Sequence, residues 1–174
     1  MTLIFDLETN GLRHDATRIH CLCIHDTEAN KTYRYNDEGN TEPIARGVTY
    51  LDEAARIVGH NVINFDIPMI QKFFPWFEPQ GEVLDTLVLS RLYHPDLLTL
   101  DKKRRWKDMP LKLYGRHSLQ SYGHRLGCLK GEYGETNDWT SWSKEMEDYC
   151  EQDVNVTTKL WDHFQPYLTG KNGR

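Results

Sequence analysis

Two acidic residues near the N-terminus, Asp6 and Glu8, have the type and spacing of a metal-binding pair. They lie at the end of a strand predicted from the short apolar run over residues 2–6. Side chains two residues apart on a strand point to the same face. Two carboxylates on one face supply the hard oxygen ligands that Mg²⁺ or Mn²⁺ prefers. The motif alone is not specific, because Asp26 and Glu28 repeat it, and we interpret that second pair as a solvated strand end.

Two further motifs add acidic residues to this pair. Asn61-x-x-x-Phe65-Asp66 lies in the middle of the chain, and Tyr149-x-x-x-Asp153 lies in a predicted helix, where a spacing of four residues brings both side chains to one face. Each motif taken alone has a simpler explanation. Asp66 suits the N-cap of a helix, and Tyr149 suits a buried tyrosine near a surface aspartate.

Hydrophobic and turn patterns predict the elements that must position these residues. We predict strands over residues 2–6, 19–25, 31–35 and 83–84, and helices over residues 49–58, 66–74, 86–93, 117–126 and 143–167. Asp85 or Thr86 would cap the third helix and Ser143 the last. Residues 95–116 are expected to form a long irregular segment. Early strands followed by alternating helices and strands indicate an α/β layered fold with a mixed β-sheet.

Composition and charge narrow the class of protein. The 174 residues suit one domain over residues 1–174, with the last few residues as a tail or domain boundary. The net charge of −5 argues against coating nucleic acid through bulk charge but not against a local nucleic-acid site. Neither a signal peptide nor a membrane span is evident, and the four cysteines fit no zinc or redox spacing. We expect reduced thiols in a cytoplasmic protein without membrane contact.

The order of the three motifs identifies a resemblance. D-x-E, N-x-x-x-F-D and Y-x-x-x-D, in this order over residues 6–153, resemble the four-acid (DEDD) 3′→5′ exonuclease superfamily. The tyrosine subclass fits, because Asp148 stands where the other subclass has histidine. The segments His117-Ser-Leu, Arg125-Leu-Gly and Lys130-Gly-Glu-Tyr further resemble the proofreading exonuclease domain of podovirus-type family A DNA polymerases.

The resemblance implies a fold, an activity and partners. The fold would be a ribonuclease H-like mixed β-sheet flanked by helices, and a phage-encoded protein would act in the cytoplasm of its bacterial host. The substrate would be single-stranded DNA or frayed DNA 3′ ends. Hydrolysis from the 3′ end would release 5′-mononucleotides. Polymerase motifs do not fit into the residues that remain, so we expect no polymerase activity in this chain. A DNA polymerase module, in the same parent chain or separate, is the implied partner.

The resemblance also implies roles for the motif residues. Two Mg²⁺ or Mn²⁺ ions would be held by Asp6, Glu8, Asp66 and Asp153, with Asp6 bridging both ions. Glu8 and Asp153 would hold the ion that binds the attacking water, Asp66 would support the second ion, and Tyr149 would orient the water.

Substrate contacts are predicted less directly. By resemblance Leu12 would wedge between the last two bases, although it also suits a loop residue packed on the core. Thr9 and Asn10 would lie beside the terminal nucleotide, and Asn61 would position the substrate or hold its own turn. Asp85 and His117 are interpreted as caps or partners of buried groups, and Trp139 and Trp142 as core or helix-staple residues rather than base-stacking platforms. The basic loop could guide the DNA backbone or simply be solvated; its leading residues are Lys102, Lys103, Arg104 and Arg105.

Two other functions remain open on the sequence. A 3′→5′ RNA exonuclease would carry the same acids, since only contacts to the sugar distinguish the two substrates. The second alternative function is a replisome docking module that has lost catalysis. The complete set of motif residues argues against it: Asp6, Glu8, Asp66, Tyr149 and Asp153.

Overall fold

A five-stranded mixed sheet forms the centre of the molecule. The computed structural model describes residues 1–131, 133 and 138–170. Glu132 of the Lys130–Tyr133 motif and the predicted tail to Arg174 lie outside the described residues. The sheet order is β3-β2-β1-β4-β5, with bounds Lys31–Asn36, Ile19–Asp26, Thr2–Thr9, Arg56–Gly59 and Glu82–Asp85. β1 pairs antiparallel with β2 and parallel with β4, so the first strand of the chain is the central one. The predicted mixed α/β sheet is confirmed.

Helices cover both faces of the sheet. Helix α1 spans Ile44–Glu53 and α2 spans Ile67–Phe73, and their buried residues pack with the face of β1 that carries Leu3, Phe5 and Leu7. On the opposite face, Ile4 packs with α3 (Thr86–Tyr93), α5 (Leu119–Arg125) and α6 (Lys144–Leu168). Because side chains alternate along a strand, Asp6 and Glu8 also face α6.

Two predicted elements are wrong. The helix predicted over residues 49–58 begins earlier and ends at Glu53, because the buried stripe is Ile44, Gly47, Val48 and Leu51. Val58 belongs to the buried strand β4 instead. The segment 95–116, predicted to be irregular, contains helix α4 (Leu97–Arg104) and a short 3₁₀ turn, Leu111–Leu113. The other predicted elements are present, with bounds that differ by a few residues.

The two helix caps predicted from sequence are confirmed. Asp85 accepts the main-chain N–H of Leu87 at the start of α3, and Ser143 accepts that of Met146 at the start of α6. Among the described residues, no helix has the length and apolar character needed to span a membrane.

Candidate active site

The C-terminal half of β1 carries the first two carboxylates, those of Asp6 and Glu8. Asp6 and Glu8 lie on the same face of this central strand, opposite Cys23 and Cys21 of β2. Cys150 of α6 approaches Asp6 from the core: its thiol donates to the Asp6 main-chain oxygen at 3.3 Å, and its Sγ lies 3.7 Å from Asp6 Oδ2. All four cysteines are free thiols, as expected.

Asp66 is placed by an unusual turn. Residues Val62–Asp66 form one turn of π-helix between β4 and α2, a form often found at functional sites. Asn61 precedes the turn in a left-handed conformation (φ 62°), and its main-chain N–H donates to Asp85 Oδ1 at 2.8 Å. Asp85 also accepts the N–H of Ile63 at 3.1 Å, so it satisfies buried main-chain groups as predicted. Although Asp66 occupies the N-cap position of α2, its side chain makes no capping bond.

Helix α6 supplies the remaining two predicted residues. Tyr149 and Asp153 lie one turn apart, and both border the same cavity as Asp6 and Glu8. Asp148, the residue that marks the tyrosine subclass, is bound at 2.7 Å by Arg34 of β3 and does not border that cavity. The simple interpretation of Asp153 as a surface aspartate is wrong, because only 4% of the residue is exposed.

The five motif residues converge on one cavity of about 230 Å³. Asp66 Oδ2 and Asp153 Oδ1 are buried there without a hydrogen-bond partner among the described residues. Buried carboxylate oxygens without a partner are costly, so the pair points to a ligand that is itself a cation.

Burial and mutual repulsion make these carboxylates weak acids. Burial raises the pKa of Asp6 to about 6, and burial together with the charge of Asp6 raises that of Asp153 to about 8. The same two causes lift the pKa of Glu8 and of Asp66 well above the usual range. These carboxyl groups therefore retain protons toward neutral pH, and a divalent cation that binds them would displace those protons.

Lys130 is the cation of this cavity that the sequence did not reveal. Its Nζ lies 3.2 Å from Asp153 Oδ2 and 5.0 Å from the centre of the Tyr149 ring. Burial pulls the pKa of Lys130 down, but the charges of Asp153, Tyr149 and Asp6 together outweigh burial, and the net shift is upward. Burial, with the negative charge of Asp153, raises the pKa of Tyr149 to about 12, so the phenol stays protonated near neutral pH.

The segment that carries Lys130 is tied to two helices. The N–H of Cys128 donates to Gly123 of α5 at 2.8 Å, and Gln152 of α6 donates to the Leu129 carbonyl at 2.7 Å. Gly131 lies against Tyr149, since a Cβ at this position would meet the ring at 3.1 Å. We call residues 127–131 the strap; it holds Lys130 at Asp153 and limits the position of the Tyr149 ring.

A second cavity, of about 530 Å³, adjoins the carboxylate cavity. It extends to Arg91, Arg116 and His117, and it shares five lining residues with the first cavity: Asp6, His60, Asn61, Lys130 and Asp153. His117 Nδ1 bonds the Ser90 hydroxyl at 2.5 Å, in agreement with its predicted role as a partner of an inner group. The two arginines place positive charge beside the acidic cavity.

The predicted contacts to the terminal nucleotide border a third cavity, of about 350 Å³, which adjoins Glu8. Leu12 is 73% exposed at its edge, so the interpretation of Leu12 as packed on the core is wrong. Thr9 donates to the Gly11 carbonyl at 2.6 Å, and the Asn10 side chain binds Thr17 at 2.7 and 2.9 Å. Thr9 and Asn10 therefore shape the loop that presents Leu12.

The basic cluster lies elsewhere. None of Lys102, Lys103, Arg104 and Arg105 borders a cavity that contains the carboxylates; within the described residues, Lys103 and Arg104 border a separate one. Trp106 and Tyr114 of the same loop are bonded to each other through the Trp106 N–H at 2.9 Å. Lys130, Arg91 and Arg116 border cavities that contain carboxylates of the site, and Arg116 belongs to the same basic loop as Lys102.

Trp139 differs from its predicted role as a core residue. Like Phe65, it borders both the carboxylate cavity and the cavity of Leu12. Its ring lies edge-on to Tyr149 with 6.2 Å between ring centres. Trp142, by contrast, packs against the core as predicted. The sequence signal for Trp139 was an aromatic residue just before the helix that carries Tyr149. That signal alone does not distinguish a core residue from one that lines the cavities.

Comparison with known proteins agrees with this architecture. Residues 3–165 match the RNase H superfamily, and the chain therefore belongs to that superfamily. The chain is 35% identical to the DNA-directed DNA polymerase of Escherichia phage T7 and 34% identical to that of Enterobacteria phage T3, over 91% of its own length. The resemblance predicted from the sequence is confirmed. The chain spans about a quarter (26%) of the length of these two relatives.

Solved structures share the fold. NrnC of Brucella melitensis superposes with a TM-score of 0.62 at 19% identity, over 99% of this chain and 76% of that protein. At that level of identity the similarity extends to the fold alone.

Proposed function

We propose that the chain is a metal-dependent 3′→5′ exonuclease that releases 5′-mononucleotides from DNA ends. The observation that carries the proposal is the convergence of Asp6, Glu8, Asp66, Tyr149 and Asp153, from three distant segments, on one cavity. The relatedness to two phage DNA polymerases supports a nucleic-acid substrate.

The donor set suits Mg²⁺ or Mn²⁺. Four carboxylates with raised pKa values and two partnerless buried oxygens offer hard ligands and excess negative charge. NrnC, which shares the fold, has been solved with bound Mg²⁺. Asp6, Glu8, Asp66 and Asp153 would hold two ions, which supply a nucleophile at neutral pH and neutralise charge that develops on a phosphate.

The surrounding residues would orient the reacting groups. Tyr149 keeps its proton near neutral pH, so its hydroxyl can donate to a phosphate or bind a water beside Asp153. Lys130, held by the strap, and Arg116, at the wall of the second cavity, offer positive charge to the phosphate backbone. Leu12, Phe65 and Trp139 border the space next to Glu8, where apolar and aromatic side chains suit a terminal base.

A gel assay tests the activity directly. A 5′-labelled single-stranded DNA oligonucleotide should shorten stepwise from its 3′ end with Mg²⁺ or Mn²⁺ and stay intact with chelator. Glu8→Gln should abolish shortening, whereas Glu28→Gln, the same change in the repeated D-x-E motif, should not. Digestion from the 5′ end, or continued digestion in excess EDTA, would overturn the proposal.

The substrate preference is tested by two further arms. The DNA oligonucleotide is compared with an RNA of the same sequence, and single strands are compared with blunt and mismatched duplexes in single-turnover reactions. We expect faster cleavage of DNA and of unpaired ends, because a mismatch has already supplied the free energy of unpairing. Faster cleavage of RNA would favour the RNA exonuclease, and equal rates on single strands and blunt duplexes would oppose a proofreading role.

A further inference from the structure

A cavity of about 490 Å³ lies apart from the carboxylates, between helices α4, α5 and α6. It shares no lining residue with the carboxylate cavities. Helix α5 lies between the two regions: Leu119 at its start borders the second carboxylate cavity, and Tyr122 and Arg125 at its end border this one. The proposed exonuclease reaction makes no use of it.

The walls of the cavity are largely apolar and aromatic. Leu97 and Leu100 of α4, Leu126 after α5, and the rings of Trp106 and Tyr122 contribute to it. Trp106 is held in place by its indole N–H, which donates to Asp101 Oδ1 at 2.9 Å. A volume and lining of this kind suit a small planar molecule.

The rim of the cavity is positively charged. Lys103 and Arg104 border it, and neither forms a salt bridge with any described residue. The Arg104 guanidinium lies over the Trp106 ring, with 4.4 Å to the ring centre. Asp101, the acidic residue of the lining, is already neutralised by Arg125 at 2.7 Å. The charge available to a ligand is therefore positive.

Two histidines complete the polar lining. His94 follows α3 and His163 lies on α6, and their Nε2 atoms are 2.8 Å apart, a distance at which one ring donates to the other. These two side chains add polar groups to the lining. Neither histidine carries a negative charge that would repel an anion.

We propose that this cavity binds a nucleotide, with the base packed between the leucines and the Arg104–Trp106 pair and the phosphate bound by Lys103 and Arg104. Apolar walls with an unpaired basic rim fit a planar ring joined to an anion better than either part alone. The inference does not depend on the exonuclease activity. It also gives Lys103 and Arg104 of the basic loop a role of their own, beside the predicted guidance of the DNA backbone.

The nucleotide could come from two sources with the same chemistry. One is a free mononucleotide, such as the product of the proposed reaction. The other is a nucleotide within a bound single strand. Both would place a base in the cavity and a phosphate on its rim, and the binding experiment separates them.

Calorimetric titration with dAMP in excess chelator tests the proposal, because chelation prevents binding through metal at the carboxylates. Deoxyadenosine and inorganic phosphate serve as the two partial probes and should each bind more weakly than dAMP. The variant Lys103→Ala/Arg104→Ala should weaken dAMP binding by on the order of tenfold, since charged hydrogen bonds are lost. The control Lys102→Ala/Arg105→Ala removes the same charge from neighbouring positions that do not border the cavity, and it should bind within about twofold of the unchanged protein.

A third variant tests the apolar wall. Leu100 is 43% exposed, so Leu100→Glu should fold, and its carboxylate should repel the phosphate and abolish dAMP binding. Absence of dAMP binding to the unchanged protein, or equal loss in both double variants, would overturn the proposal. An oligo(dA) titration then assigns the source: weaker binding by the Lys103/Arg104 variant indicates a strand nucleotide, and unchanged binding indicates a free mononucleotide.

Discussion

Asp6 is the carboxylate to which the others respond. Its negative charge contributes to the raised pKa of Glu8, of Asp66 and of Asp153, which come from the same strand, a π-helical turn and α6. A residue that interacts with every other acid of the cavity is the one best placed to serve more than one ion. The geometry thus supports the central role that the resemblance implies for Asp6.

The first prediction compares Asp6 with Tyr149. Asp6→Ala should lower the single-turnover rate by at least about a thousandfold, because charge stabilisation by the bound ions is lost. Tyr149→Phe should cost less, since it removes one hydroxyl and leaves the carboxylates in place. Single-turnover assays on single-stranded DNA, with folding checked by circular dichroism, measure both. Equal losses would contradict the positioning role of Tyr149.

The second prediction concerns Lys130. Lys130→Met should tighten Mn²⁺ binding by roughly tenfold, because a cation no longer competes for Asp153. In chelator the same variant should lose about 2 kcal/mol of unfolding free energy, since a largely buried ion pair is broken. Mn²⁺ titration and denaturant unfolding measure the two effects.

Lys130→Arg is the matched control because it keeps the charge. It should resemble the unchanged protein in both measurements far more than Lys130→Met does. If the methionine variant shows neither tighter binding nor lower stability, Lys130 does not act as the counter-ion of Asp153.

The acidic residues could be predicted from sequence, whereas Lys130 could not. Local spacing pairs Asp6 with Glu8 and Tyr149 with Asp153, and the resemblance carried by the order of the three motifs joins these pairs with Asp66. Lys130 meets Asp153 only because the strap is bonded to two helices, and Trp139 reaches Leu12 only through the tertiary fold. Asp26 shows the converse: predicted to be solvated, it is buried and accepts the N–H of Glu28 at 2.9 Å and the hydroxyl of Tyr50 at 2.8 Å.

At the scale of elements, the missed boundaries have a common cause. Leu51, Ala54 and Val58 recur at helical spacing although a strand begins at Arg56, so one apolar pattern crosses two elements. In α4 the opposite holds: the helix has few buried residues, Leu97 and Asp101, and so shows no clear apolar stripe. Its stability comes from contacts that lie far along the chain.

Asp101 provides those contacts, and the third prediction tests it. Its carboxylate accepts hydrogen bonds from Nε and Nη2 of Arg125 in α5, at 3.1 and 2.7 Å. It also accepts the Gly115 N–H at 2.8 Å and the Trp106 indole N–H. Asp101→Ala should lower the unfolding free energy by about 3–5 kcal/mol, because Arg125 is left buried and unpaired. Asp108→Ala, an exposed change in the same loop, should stay within about 0.5 kcal/mol. Denaturant unfolding that shows equal effects would contradict this role.

At the scale of the whole molecule, the acidic cavity should set the pH dependence of stability. The pKa values of Asp6 and Asp153, about 6 and about 8, lie above those of the unfolded chain. Between about pH 4 and 8 these two carboxyls bind more protons in the folded protein than in the unfolded one, so their contribution to stability falls as pH rises. Burial lowers the pKa of His60 to about 4, and this acts in the opposite direction below about pH 6.5.

The fourth prediction follows from this sign. In chelator the thermal midpoint should decrease from about pH 6.5 to about pH 8, the range in which Asp153 loses its proton in the folded protein and His60 no longer opposes the effect. Saturating Mg²⁺ or Mn²⁺ should raise the midpoint most at the alkaline end, where the carboxylates are ionised. Calorimetric scans with and without metal measure both curves. A midpoint that rises with pH in chelator would contradict the assignment of raised pKa values.

The central position of β1 has a consequence for how the molecule forms. The strand β1 pairs with β4 and packs under α6, so Asp6 meets Asp153 only after the intervening residues up to α6 are available. Contacts between such distant residues carry a large loop-closure cost and slow the folding of a domain. During synthesis, a growing chain would hold Asp6 and Glu8 for most of its length without the helix that completes the cavity. The order of residues along the chain thus delays completion of the carboxylate cavity until α6 has folded onto the sheet.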